Sequence, residues 1–153
     1  MLLQPSPMDS SEWETHIVTL EKNRVHVRNL QPEDPNPVAA RCEHSRHRTL
    51  AHLRACQEQW LLAVRELIAR DNPNLNILHP WRKFDQSNYA EVPWKDHLDA
   101  FLKEREEWLS YRSQPDWNRS GKMNRKPVTI GGLTRHLAVH ETYHLAFFPV
   151  NSD

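Results

Sequence analysis

Proline and helical periodicity divide this chain into four amphipathic stretches, and that division constrains the fold more than any other feature. The eleven prolines fall between the periodic runs or at their edges, where a residue with fixed φ and no N–H is tolerated. A first helix is expected over about 12–29, capped by Ser10 or Ser11, with Trp13, Ile17, Leu20 and Val27 as its apolar stripe. The run from Gln31 to Pro37 ends it. A second helix, about 46–70, carries Leu50, Leu53, Trp60, Leu61, Val64, Leu67 and Ile68, and stops before Pro73. A third, about 93–113, starts on Pro93 and buries Trp94, Leu98, Phe101, Trp108 and Leu109, with Glu104 to Glu107 read as a solvated edge. The fourth, about 128–148, has Thr129 as its cap and Ile130, Leu133, Leu137 and Phe148 as its stripe. No internal repeat, heptad run or strand pair with a hairpin turn stands out. The expected fold is all-α, a four-helix bundle over residues 1–153 as a single domain, with 1–10 a loose polar leader.

Composition narrows the function classes. Net charge is zero with neutral histidines, and no run of Lys or Arg forms a nucleic-acid footprint. Three glycines are too few for a Gly-rich phosphate loop. Cys42 and Cys56 form no C-x-x-C motif and suit reduced thiols. The opening residues lack the basic and long apolar regions of a signal peptide, and no stretch approaches the ~20 apolar residues of a membrane span. A cytoplasmic protein without membrane or nucleic-acid partners is therefore expected.

The last stretch places His136, His140 and His144 four residues apart on one helix, and ten histidines in all make a metal worth testing. His140 and His144 fall within the apolar stripe. They are either core histidines satisfied by hydrogen bonds or two ligands of one ion, since i and i+4 lie on one face of a helix. His140-Glu-Thr-Tyr-His144 also matches the H-E-x-x-H pattern of metalloproteases. Those enzymes take their third ligand downstream, whereas the nine residues after His144 contain neither His nor Glu. His136 lies about 12 Å along the helix from His144, too far to share an ion with it. A third ligand must come from upstream, on another helix. Glu141, about 100° around from His140, faces the site rim as a base or orienting group, or else forms a surface ion pair. Cys42, His44 and His47 could bind a metal, but their spacing fits no zinc pattern, and solvated polar residues are the alternative. Trp81, Arg82 and Lys83, on the long 72–93 connection, either line a pocket for an anion or pack over the bundle. The four Lys and Arg between Gln114 and Pro127 either aid solubility or contact a phosphate or partner.

Thr49-Leu-Ala-His-Leu-Arg-Ala-Cys-Gln-Glu-Gln-Trp60, together with Leu133-Thr-Arg-His-Leu-Ala-Val-His-Glu-Thr-Tyr-His144, resembles the DinB-like four-helix-bundle superfamily. Arg48-Thr49 stands where that family often has Trp-Ser or Trp-Thr. The resemblance implies a three-histidine metal site at His52, His140 and His144, a divalent ion (commonly zinc or nickel), and frequently a homodimer. It implies no single activity, although some members resemble transferases or isomerases that use a low-molecular-weight thiol; the leading expectation is a metal-dependent enzyme acting on a small molecule, as a hydrolase through metal-bound water or as such a thiol-dependent transferase. Glu141 is then a candidate base, and Cys56 a candidate fourth ligand, reactive thiol or buried small hydrophobe. A non-catalytic, metal-stabilised interaction module and a metal-free helical protein are the competing expectations.

Overall fold

A computed structural model describes residues 6–34, 40 and 44–150. Cys42, the first residues of the leader and the end of the Gln31–Pro37 break lie outside them. Four long helices carry the fold: α1 (Ser10–Asn29), α2 (Arg46–Ala69), α4 (Trp94–Ser110) and α5 (Ile130–Leu145). Each begins where its local chemistry allows. Asp9, rather than Ser10 or Ser11, caps α1, its carboxylate accepting from the Glu12 N–H at 2.8 Å. Ser45 caps α2 through the Arg48 N–H at 3.0 Å. Thr129 caps α5, as its position implies, accepting from Gly132 at 2.9 Å.

The bundle is a ring in the order α1, α4, α2, α5. Helix α1 packs on α4 and α5, and α2 packs on the same two, so α1 faces α2 across one diagonal and α4 faces α5 across the other. The chain must therefore cross the bundle after α1 and again after α4. The connections after α2 and after α4 build structure that helical periodicity hides. The 72–93 connection is not irregular throughout: it holds β1 (Asn74–Leu75), the short α3 (Pro80–Gln86) and a 3-10 turn at Tyr89–Glu91. The segment before α5 contains the hairpin β2 (Ser120–Met123) and β3 (Lys126–Thr129), which corrects the expectation of a chain without strand pairs. β3 runs antiparallel to β2, and β1 pairs parallel with β2. The fold is mostly helical with a small three-stranded sheet. Gly121 is needed where the sheet crosses the bundle, because a Cβ there would meet the Pro73 carbonyl oxygen at 2.7 Å and Leu67 at 2.8 Å.

The core has two large clusters and a third, smaller one of Ala51, Ala55, Phe84 and Tyr89 that seats the α3 segment on α2. Trp13, Ile17, Leu20, Leu61, Val64, Trp108, Ile130 and Leu137 pack at one end. Val27, Leu50, Leu53, Trp94, Phe101 and Leu145 pack at the other. Four of the buried polar residues, one from each long helix, join in a shared hydrogen-bonded layer: Asn23, Gln57, Arg105 and Glu141. Arg105, expected on a solvated edge, is fully buried and forms an ion pair with Glu141. Its remaining N–H groups donate to Gln57 Oε1 at 2.8 Å and the Leu20 carbonyl at 3.0 Å. Asn23 Nδ2 donates to Glu141 Oε1 at 3.4 Å, and Gln57 Nε2 to the Phe101 carbonyl at 2.9 Å. Phe101–Arg105–Trp108 and Leu137–Glu141–Leu145 are continuous stripes by spacing, so the charged member of each must enter the core. Burial pushes the Glu141 carboxyl up, and Arg105 beside it pulls the other way. No helix among the described residues is long and apolar enough to cross a membrane.

Candidate metal centre

Helices α2 and α5 are neighbours in the ring, and this brings His52 to the pair on α5. His52 Nε2 lies 3.1 Å from His140 Nε2. His144 Nε2 lies 3.2 Å from the same atom. One nitrogen from each of the three residues falls within 4.8 Å of the others, and no fourth His, Cys, Asp or Glu among the described residues joins the group. Two bonds of about 2.0–2.1 Å at a tetrahedral angle put their nitrogens about 3.4 Å apart, so this spacing fits one small divalent ion.

The hydrogen-bond inventory supports the same donor chemistry. A neutral imidazole has one N–H and one lone pair. His140 Nε2 faces two other Nε2 atoms and can form only one good hydrogen bond with them. His140 Nδ1 is buried with no partner. Unlike core histidines bonded to a backbone carbonyl, these three turn their Nε2 atoms toward one another. Burial is the main cause holding His52 down to about 4 and His140 down to about 3, with their neighbouring histidines adding to the effect. Burial also lowers His144. All three rings are neutral at pH 7, so a cation need not displace protons to reach their lone pairs.

Other residues fall where their local structure puts them. His136, one turn before His140, stacks parallel to it with centroids 6.3 Å apart and meets Trp60 edge-on at 4.6 Å. It walls the site without joining the three nitrogens. Cys56 is 2% exposed and lines the cleft floor beside His52 as a small buried group. Its Sγ lies 3.8 Å from His52 Nε2, and burial pushes it up to about 12. Glu141 sits neither at the rim nor on the surface. It is fully buried and held by Arg105 and Asn23. His47 is fully buried, with its Nε2 bonded to the Val92 carbonyl at 3.0 Å, while His44 is exposed. The combination of these two with Cys42 lies outside the described residues. Trp81 is 54% exposed, so it does not pack into the bundle, and Lys83 turns to Glu58 at 3.8 Å.

A cleft of about 460 Å³ opens onto His52 and His140, a size suited to a small molecule. Trp60, Ile77, Met123 and His136 line it, with Lys126 at its edge. The sheet and the α3 segment supply much of this wall. A second, shallower opening reaches His52 and His144 past Arg48 and Thr49.

A helical bundle with three histidines converging from two adjacent helices beside a cleft is the class of protein this fold and site define. The sequence pattern of the DinB superfamily matches residues 18–148, and the chain belongs to that superfamily. Its fold is similar to that of YfiT from Bacillus subtilis, described as a probable metal-dependent hydrolase with an unusual four-helix bundle topology. The TM-score is 0.76 at 9% identity, over 95% of this chain and 89% of that one. No curated protein matches the chain significantly.

Proposed function

We propose that this protein is a divalent-metal-dependent enzyme of hydrolytic type acting on a small molecule. His52, His140 and His144 are its three protein ligands in this reading, with one coordination position left open. The observation that carries it is the convergence of three Nε2 atoms beside a cleft, with no fourth protein donor joining them among the described residues. A structural site would be closed by a fourth side chain, whereas a catalytic one keeps a position for water or substrate. Zinc or nickel suits three neutral imidazoles. Once bound, the ion supplies Lewis acidity and lowers the pKa of the water or thiol it holds.

The chain's own residues do the rest. Helices α2 and α5 fix the spacing of the three nitrogens, and burial keeps the imidazoles neutral. Trp60 meets the edges of His136 and His140 and restricts how their rings turn. The apolar wall beside His52 limits the water that reaches the site. The hydrolytic reading draws on the likeness to YfiT. A homodimer belongs to the same reading through the superfamily resemblance, and light scattering tests the assembly state.

The reading is tested by reconstituting metal-free protein with one equivalent of zinc or nickel and assaying small esters and amides, with and without a low-molecular-weight thiol. Turnover that needs metal, needs no thiol and disappears in His144→Ala supports hydrolysis. Turnover that requires the thiol reassigns the site to thiol transfer. Stoichiometric metal without turnover favours a non-catalytic, metal-stabilised module.

A further inference from the structure

The cleft beside the histidines has an apolar wall and a basic edge. Trp60, Ile77 and Met123 supply apolar surface, and no Asp or Glu among the described residues lines it. That absence is informative in a chain with 20 acidic and 20 basic residues. Some cations elsewhere are committed to carboxylates, among them Arg54 to Glu58, Arg65 to Glu107, Lys95 to Asp99 and Arg112 to Glu14, whereas others face solvent as Lys126 does. Lys126, on β3, is exposed and has no carboxylate partner among the described residues.

The hairpin that presents Lys126 is built at a conformational cost. Its two turn residues are left-handed, Asn124 at φ 52° and Arg125 at φ 72°. Glycine is favoured at the second such position, because a Cβ is crowded there. This turn instead holds an arginine, directly before Lys126. The turn is also pinned. Asn124 Oδ1 accepts from the Ile77 N–H at 2.8 Å, and its Nδ2 donates to the Ile77 carbonyl at 2.9 Å. One side chain thus ties the basic turn to the apolar wall and holds the ammonium-bearing strand at the cleft edge.

We propose that the cleft takes an anionic substrate with an apolar body. The body packs against Trp60, Ile77 and Met123, and the anionic group is held at Lys126. This inference rests on the cleft being the substrate site of the proposed enzyme. A carboxylate and a phosphoryl group share the required charge, and the probes below separate them.

The test is isothermal titration calorimetry on the purified full chain, with metal content measured on every sample. The probes are 4-phenylbutyrate, its neutral amide, phenylphosphonate and acetate. The carboxylate is expected to bind about three- to fivefold tighter than the amide, the range of an exposed ion pair. That gap closes in Lys126→Ala, returns in Lys126→Arg, and shrinks at high salt. Acetate, which has the charge without the body, binds much more weakly than 4-phenylbutyrate. Tighter binding of phenylphosphonate assigns the anion to the phosphoryl class, and tighter binding of 4-phenylbutyrate to the carboxylate class. Equal binding of carboxylate and amide, a gap that survives in Lys126→Ala, acetate as tight as 4-phenylbutyrate, or no binding at all would each overturn the proposal. A gap that survives in Lys126→Ala and follows metal content would put the anion on the ion instead. A parent without metal whose anion preference still depends on Lys126 would sink the metal reading and leave this one standing.

Discussion

Two groups of histidines meet at α2, one fully buried and one half-buried, and their Nε2 atoms face opposite kinds of partner. His47 and His97 are both fully buried, with ring centroids 5.7 Å apart. Each donates Nε2–H to a backbone carbonyl at 3.0 Å, His47 to Val92 and His97 to Tyr89. His97 Nδ1 then accepts from Arg54 Nη1 at 3.1 Å, and Arg54 is itself paired with Glu58. Oxygen acceptors fix these rings. His52, His140 and His144 are more accessible, and their Nε2 atoms point at one another. Burial lowers His97 to about 4 and His52 to about 4 alike, so protonation behaviour does not separate the groups. Partner chemistry does. The first group locks a turn to the bundle, and the second offers lone pairs to something outside the chain.

The largest effect should come from the polar layer that lies next to the triad. Arg105→Met leaves the Glu141 carboxylate buried without its ion pair and should cost about 3–5 kcal/mol in urea unfolding, with or without added metal. Equal loss in both conditions identifies the layer as scaffold. The triad should behave differently. A divalent ion at 100 times its dissociation constant should stabilise the parent by about 2.7 kcal/mol, and the gain should vanish in His140→Ala. A comparable gain in His140→Ala would erase the distinction between the groups.

On the structural side, His97→Phe removes a donor to Tyr89 and an acceptor for Arg54. The expected loss is about 1–3 kcal/mol at any metal concentration, with metal content unchanged. The smallest effect concerns Glu104, beside the Arg54–Glu58 pair. Burial and, to a smaller extent, the Glu58 charge raise it from 4.5 to about 7. The folded state therefore holds a proton between pH 4.5 and about 7 that the unfolded chain has released. Its contribution is fully present below pH 4.5 and is lost as pH rises through about 7. Glu104→Gln should flatten that decline and raise stability at pH 8 by about 1 kcal/mol or less, given solvent screening of a partly exposed group. Thermal melts across pH 5–8 would measure it.

The four long helices were legible because each repeats its apolar residues over four or more turns and begins at a residue that suits a helix start. Helix α3 was not, since the seven residues of Pro80–Gln86 are too few for a period to emerge. The hairpin hid behind an Asn124-Arg125 turn in place of Asn-Gly, and its strands are four residues each. Arg105 and Glu141 were misplaced because their charge outweighed their spacing, although both lie on stripes that continue through them. The geometry of the α5 pair could be read from its four-residue step, but spacing alone offered no way to choose His52. Its approach depends on α2 and α5 being neighbours, a property of how the ring closes. The Lys126 edge was equally hidden, because it needs the hairpin.

The most direct measurement is the metal content, by plasma mass spectrometry, of protein purified without a metal-affinity tag, alongside His52→Ala and His140→Ala. About one zinc or nickel per chain in the parent, lost in both variants and kept in His97→Phe, is the predicted result. A parent that carries no ion and takes up none on addition would contradict the account and leave the triad as three packed core histidines.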